Sequence, residues 1–95
     1  MSAYVIGRIN VTDPDQYKKY TARTPDVIAK FGGEFVVRGA EVHTLEGPEE
    51  KRRVVVIKFP SLEKAKAFYN SEEYVETRKL RRDAAVASLV AIEGV

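Results

Sequence analysis

The alternation of apolar and polar residues changes period along the chain, and each change marks an element. Residues Ala3–Val11 (AYVIGRINV) are rich in β-branched and aromatic types and predict a first strand. A helix start follows: Asp13 can cap, Pro14 suits the first helical position, and Gln16 stands three after the cap as in a capping box. Tyr17, Tyr20, Thr24, Val27, Ile28 and Phe31 then recur at helical spacing. Pro25 inside this stripe predicts a kink, because proline removes a backbone donor and crowds the preceding turn. Gly32-Gly33 ends the helix.

Glu34 to Leu45 predicts a second strand, interrupted at Gly39-Ala40 by a bulge or bend. Past the turn Gly47-Pro48-Glu49-Glu50, the run Arg53–Phe59 (RVVVIKF) is the strongest strand signal in the chain. Ser61 caps a second helix whose buried side is Leu62, Ala65, Phe68 and Tyr69. Asn70-Ser71 breaks it, a short charged helix runs from Glu72 to Asp83, and Ala87 to Ile92 forms the last strand.

This order predicts an α+β domain of ferredoxin-like βαββαβ design. It is a four-stranded antiparallel sheet with helices on one face and the first and third strands at its centre. Strand phase turns Val5, Gly7, Ile9 and Val11 towards the helices, with Gly7 read as letting a helix approach closely. Tyr4, Ile6 and Arg8 point to the opposite face, shared by Val54, Val56 and Lys58, while Arg53, Val55, Ile57 and Phe59 turn back to the helices. Val54 to Ile57 and most of Ala87 to Ile92 are apolar without interruption, which implies cover on both faces. The helices cover one. A second copy stacked about a two-fold axis covers the other, giving a homodimer through the open sheet face. Within one chain, the alternative cover is the long second strand together with the C-terminal helix.

Length and composition narrow the function classes. Ninety-five residues make a single domain, 1–95, with a thin core that association can reinforce. The absence of cysteine excludes disulfides, thiol chemistry and sulfur-ligated metal, and it suits a cytoplasmic protein. One histidine without cysteine argues against zinc, so no metal site is expected. No phosphate-cradling glycine loop, dinucleotide fingerprint or nucleophile elbow occurs, and no cofactor is expected. There is neither a signal-like N-terminus nor an apolar run long enough to span a bilayer, so no membrane partner is expected. A net charge of +2 does not call for nucleic acid. The basic residues Arg78, Lys79, Arg81 and Arg82 follow Glu72, Glu73 and Glu76, an order that suits a helix dipole.

Arg8 and Lys58 fall on neighbouring central strands beside Tyr4, on an otherwise apolar face. Buried cations need an anionic partner. Either a small ligand with a carboxylate or enolate fills that role, or glutamates of a second chain do, with Glu34, Glu41 and Glu46 the candidates; interface charges are normally paired, which favours the glutamates. His43, the only histidine, is a candidate general base, but it lies beyond the predicted bulge and alternation does not assign its face.

The chain resembles the bacterial domain-of-unknown-function family 1330 of the dimeric α/β-barrel superfamily. The resemblance rests on Tyr4, Thr12-Asp13-Pro14 with Tyr17 and Tyr20, Gly32-Gly33, Arg38-Gly39 and Leu45-Glu46-Gly47. It continues through Phe59-Pro60-Ser61, Ala67-Phe68-Tyr69, Ser71-Glu72-Glu73-Tyr74 and Glu93-Gly94-Val95. It implies two ferredoxin-like sheets packed into a dimeric barrel, with Tyr4, Tyr20, Arg38, Glu46 and Arg81 as polar positions lining a cavity. Relatives in the superfamily include cofactor-independent oxygenases and isomerases, and fold alone does not transfer a reaction.

Two readings stay open. In the first, the chain is an enzyme acting on a small anionic or aromatic metabolite: Arg8, Arg38 or Lys58 hold the anion, Tyr20 and Arg81 complete the pocket, and Tyr4, His43 or Glu46 move protons. In the second it is a non-catalytic dimer that binds a metabolite or partner, and the same charges fix the interface.

Overall fold

A computed structural model describes all 95 residues. The elements are β1 (Ala3–Val11), α1 (Pro14–Lys30), β2 (Glu34–Arg38), β3 (Arg53–Phe59), α2 (Leu62–Asn70), α3 (Glu72–Lys79) and β4 (Ala85–Glu93). The strands form one antiparallel sheet in the order β2-β3-β1-β4, so β1 and β3 are central. This is the ferredoxin-like arrangement. The helices cover one face of the sheet, and the chain is a slab measuring 32 × 31 × 16 Å.

The caps act locally. Asp13 is extended and accepts from Gln16 N–H at 3.2 Å, starting α1 with Pro14 in the first turn. The capping box closes only halfway, because the Gln16 side chain donates instead to the Leu80 carbonyl at 3.0 Å. That bond, with Asp13 N–H donating to Ala84 at 3.0 Å, ties the start of α1 to the turn before β4. Ser61 caps α2 by accepting from Lys64 N–H. Ser71 serves two helices: its hydroxyl donates to Phe68 at the end of α2 and accepts from Tyr74 N–H at the start of α3.

Strand phase is as expected. Val5, Ile9, Val55, Ile57 and Phe59 are buried against the helices. They join Ile28, Ala65, Phe68 and Tyr74 in one core, with Phe68 and Tyr74 rings 4.3 Å apart. The other face carries half-buried Ile6, Val54 and Val56 and exposed Val86, Val90 and Ile92, no helix covers it, and Val86 is 70% exposed.

Several boundaries differ from those expected. The second strand ends at Arg38 rather than Leu45, and its bulge lies between Phe35 and Val37 rather than at Gly39-Ala40. Gly39 instead takes a left-handed conformation (φ 68°) that turns the chain out of the sheet. Pro25 does not interrupt α1, which runs on to Lys30. α3 stops at Lys79, because residues 80–83 form turns, and β4 begins at Ala85. Tyr69 is half-exposed with the Arg78 guanidinium over its ring at 4.0 Å, so it lies outside the core.

Candidate anion-binding cavity

Between the helices and the sheet lies a cavity of about 40 Å³. Gly7 opens its floor. A side chain there would meet Ile9 Cδ1 at 3.3 Å and Leu89 Cγ at 3.7 Å, both from the sheet itself, so the glycine makes space and does not admit a helix. Most of the lining is apolar, but Arg38, Arg53 and Arg81 reach it, as do Tyr17, Tyr20 and Tyr74. No aspartate, glutamate or histidine lines it.

Each arginine arrives by a separate local rule. Arg53 pairs with Ile9 on the helix-facing side of the two central strands. Its guanidinium lies 5.9 Å from the Tyr17 ring centroid. Gly39 rests against it: a Cβ at that position would sit 2.5 Å from Arg53 Cζ. Arg53 Nε is buried and has no hydrogen-bond partner.

Arg38 reaches the cavity because of the bulge. Phe35 pairs with Ile57, Val37 with Val56 and Arg38 with Val55, so the extra residue returns Arg38 to the helix face that alternation would deny it. There Pro25 has prepared a partner. Lacking an N–H, Pro25 leaves the Thr21 carbonyl without its helical donor. Arg38 Nη2 donates to that carbonyl at 3.0 Å, Thr24 Oγ1 donates to it at 3.3 Å, and the Arg38 guanidinium lies 4.3 Å from the Phe35 ring centroid.

Arg81 comes from the turn between α3 and β4 and lies 5.4 Å from the Tyr20 ring centroid. It also borders an outer groove with Arg78, Lys79 and Arg82, so it stands between the cavity and a basic surface. The Tyr20 and Tyr74 hydroxyls share a 2.7 Å hydrogen bond. Burial pushes the Tyr20 hydroxyl far above the usual phenol range, and the neighbouring Tyr74 adds to the effect. Burial also raises Tyr17, with Arg53 opposing it. For Arg81, burial works against the charge and the Tyr74 and Tyr20 phenols more than offset it, so its pKa is raised. Near neutral pH Tyr17 and Tyr20 are therefore protonated phenols, which can donate hydrogen bonds and stabilise negative charge but cannot serve as bases.

The other expected site residues lie elsewhere. Tyr4, Arg8 and Lys58 occupy the open face, with Tyr4 paired to Lys58 and Glu34 to Lys58 across the strands. Arg8 Nε sits 3.2 Å from Glu50 Oε1 of its own chain, and Arg52 donates to both oxygens of that carboxylate, each at 2.9 Å. Within the chain Glu34, Glu41 and Glu46 make no ion pair with Arg8; the expected pairing was with those of a second copy. His43 is an exposed loop residue whose Nε2 lies 3.3 Å from Glu41 Oε1, and Glu46 is exposed on the same loop. Tyr4, His43 and Glu46 are thus not assembled into one constellation within the chain. Of the expected residues, the cavity collects Tyr20, Arg38 and Arg81; Tyr17, Arg53 and Tyr74 join them without having been singled out. The available signal was Arg53, a cation on the helix-facing phase of an apolar strand.

No three His, Asp or Glu side chains cluster as metal ligands would. No helix is long and apolar enough to cross a membrane.

The sequence model of a domain of unknown function, DUF1330, matches residues 2–95. No curated protein matches the chain. Among solved structures it is similar to the RPA0582 protein of unknown function from Rhodopseudomonas palustris (TM-score 0.75, 22% identity, 99% of this chain and 82% of that one). It is similar also to SnoaB, a cofactor-independent oxygenase from Streptomyces nogalater (TM-score 0.71, 14% identity, 99% and 93%). A third is a dimeric protein of unknown function and ferredoxin-like fold from Bacteroides fragilis (TM-score 0.57, 17% identity, 98% and 96%). At these identities the likeness establishes the fold.

Proposed function

The chain belongs to the DUF1330 family, and from that premise we propose a cofactor-independent enzyme, of oxygenase or isomerase type, that binds a small, flat, anionic metabolite between its helices and its sheet. The observation that carries this reading is the convergence of Arg38, Arg53 and Arg81 on one apolar cavity without a carboxylate to neutralise them. Three guanidinium groups at the wall of an apolar cavity stabilise an enolate or phenolate, and hence any transition state in which such charge develops. Since the lining offers no base, the substrate has to be acidic enough to arrive ionised, or to lose its proton at the mouth. In the oxygenase form dioxygen is the co-reactant and the oxidant. The stabilised carbanion bonds through carbon to one oxygen atom, and protonation of the other gives a hydroperoxide on a carbon that still carries one hydrogen. Loss of that hydrogen and of hydroxide, together one water, breaks the O–O bond and leaves a carbonyl group. The likeness to SnoaB supports this form.

The missing base also favours a second reading, a metabolite-binding protein without turnover. Oxygen uptake separates the two. Freshly purified protein is first inspected by native mass spectrometry for a bound small molecule, then given a panel of hydroxylated aromatic acids and cyclic β-diketones in an oxygen electrode. Uptake that falls at least tenfold when Arg38, Arg53 and Arg81 are all replaced by methionine supports the enzyme. Binding with no uptake and no isomerised product supports the second reading, and no binding at all rejects the cavity as the site.

The proposed working unit is a homodimer through the open sheet face. Val86, Val90 and Ile92 are exposed there beside half-buried Ile6, Val54 and Val56, an apolar surface that a second copy would cover. The similarity to a dimeric protein of the same fold supports the assignment. Sedimentation at micromolar concentration tests it, and a monomer would reject it.

A further inference from the structure

Taking the cavity reading as its base, we propose that Arg53 anchors the ligand's charge and that this charge is a carboxylate or another planar oxyanion. The three arginines are not equivalent. Arg38 already donates to the Thr21 carbonyl, lies on Phe35 and is exposed. Arg81 stands at the boundary with the outer basic groove. Arg53 emerges from a central strand, has no acidic partner, and keeps Nε buried without an acceptor. A buried donor with no acceptor destabilises a fold. Such a group calls for a missing partner.

A carboxylate meets that need directly. Its two oxygens accept in parallel from the Nε–H and one Nη–H of a guanidinium, which satisfies the orphan nitrogen and the charge together. Gly39 makes the arrangement possible, since any side chain there would lie within 2.5 Å of Arg53 Cζ. The cavity holds about 40 Å³, against roughly 150 Å³ for one that accepts benzene. The ring of an aromatic acid therefore needs more space than the cavity holds: Arg81, at the boundary with the outer groove, would yield it, and Arg53 would turn its buried Nε edge towards the carboxylate. Arg81 then tunes affinity, and Arg53 decides whether an anion is preferred.

Calorimetric titration of the full chain with salicylate and with its neutral amide, salicylamide, tests this. Wild-type protein should bind salicylate at least tenfold more tightly. Arg53→Met should bring the two probes within twofold of each other, whereas Arg38→Met and Arg81→Met weaken both probes yet keep a preference of fivefold or more. The ligand-free Arg53→Met protein should also melt higher, by about 5 °C, because a buried N–H without an acceptor has gone; a purely structural arginine would give a lower melting temperature. Should Arg53→Met fail to fold, Arg53→Lys decides, since it keeps the charge but loses the fork and should retain less than a third of the preference. If wild type prefers salicylate and both Arg53 variants prefer it equally, the assignment to Arg53 falls while the cavity reading stands. If wild type binds neither probe, both fall.

Discussion

Both faces of the sheet carry cations, and they are satisfied in opposite ways. On the open face Arg8 meets Glu50, whose carboxylate Arg52 also grips, so Arg8 finds an acid within its own chain. On the helix face Arg38, Arg53 and Arg81 surround an apolar space with no acid among its walls. A positive charge on a strand is therefore a poor marker of a site. An arginine nitrogen left buried without an acceptor, as Arg53 Nε is, is a better one, because the fold loses its hydration and receives no internal hydrogen bond in return.

The faces should also respond differently to substitution. The largest effect is expected in the helix-side core. Phe68→Ala removes a ring packed against Phe59 and Tyr74 and should lower stability by about 3–5 kcal/mol in urea unfolding, a large share of the total for so small a domain. On the open face Val90 is 51% exposed and pairs with Ile6 across β1 and β4. Val90→Glu should leave the fold of one chain intact yet weaken dimerisation by on the order of 2 kcal/mol or more, read by sedimentation. A stable dimer of the variant would remove the open face as the interface.

Proton titration draws the contrast again, more weakly. Tyr17 and Tyr20 are raised above 10.0 by burial, so the neutral phenols contribute stability that is complete below about pH 10 and is lost as pH rises beyond it. Absorbance at 295 nm should show these two resisting ionisation until the chain unfolds, and Tyr20→Phe should remove its share of the alkaline loss. Glu50 behaves in the opposite sense. Hydrogen bonds from Arg52 hold its carboxyl below 4.5, so its contribution is present above about pH 4.5 and vanishes as pH falls through the lowered value. Glu50→Gln should flatten the acid limb slightly and leave the alkaline limb unchanged. Being exposed, this pair gives the smallest effect.

Much of the fold was legible because the signals behind it are short-range. The phase of β1 and β3, the caps at Asp13 and Ser61, and the break at Asn70-Ser71 each depend on a few neighbouring residues. β2 was less legible, since its one-residue bulge reverses the phase of Arg38, and the segment after Gly39 keeps strand-like composition without a partner strand. Tyr20, Arg38 and Arg81 were reached through family resemblance rather than through physics. Tyr17 looks like a core residue from its spacing and Tyr74 stands out only through the family motif; both are buried, yet both also line the cavity. Arg53 had been placed on the correct face without its chemistry being noticed, because only the assembled cavity shows that it lacks an acid. Arg8 and Lys58 drew attention through phase alone; the contact between Arg8 and Glu50 joins distant parts of the sequence, which no local pattern carries.

Pro25 has a consequence for mutational coupling. By withholding one main-chain donor it makes the Thr21 carbonyl a docking point for two interchangeable side chains, the Arg38 guanidinium and the Thr24 hydroxyl. If an incoming anion draws Arg38 away, Thr24 still holds the carbonyl, so the exchange strands no backbone oxygen. Positions 24, 25 and 38 thus share one acceptor, and the effect of changing any of them depends on the other two. Pro25→Ala restores the helical donor and makes Thr24 redundant, whereas Thr24→Val is harmful chiefly while the proline remains. Epistasis of this kind would be confined to the rim of the cavity, and the rest of α1 would tolerate substitutions independently.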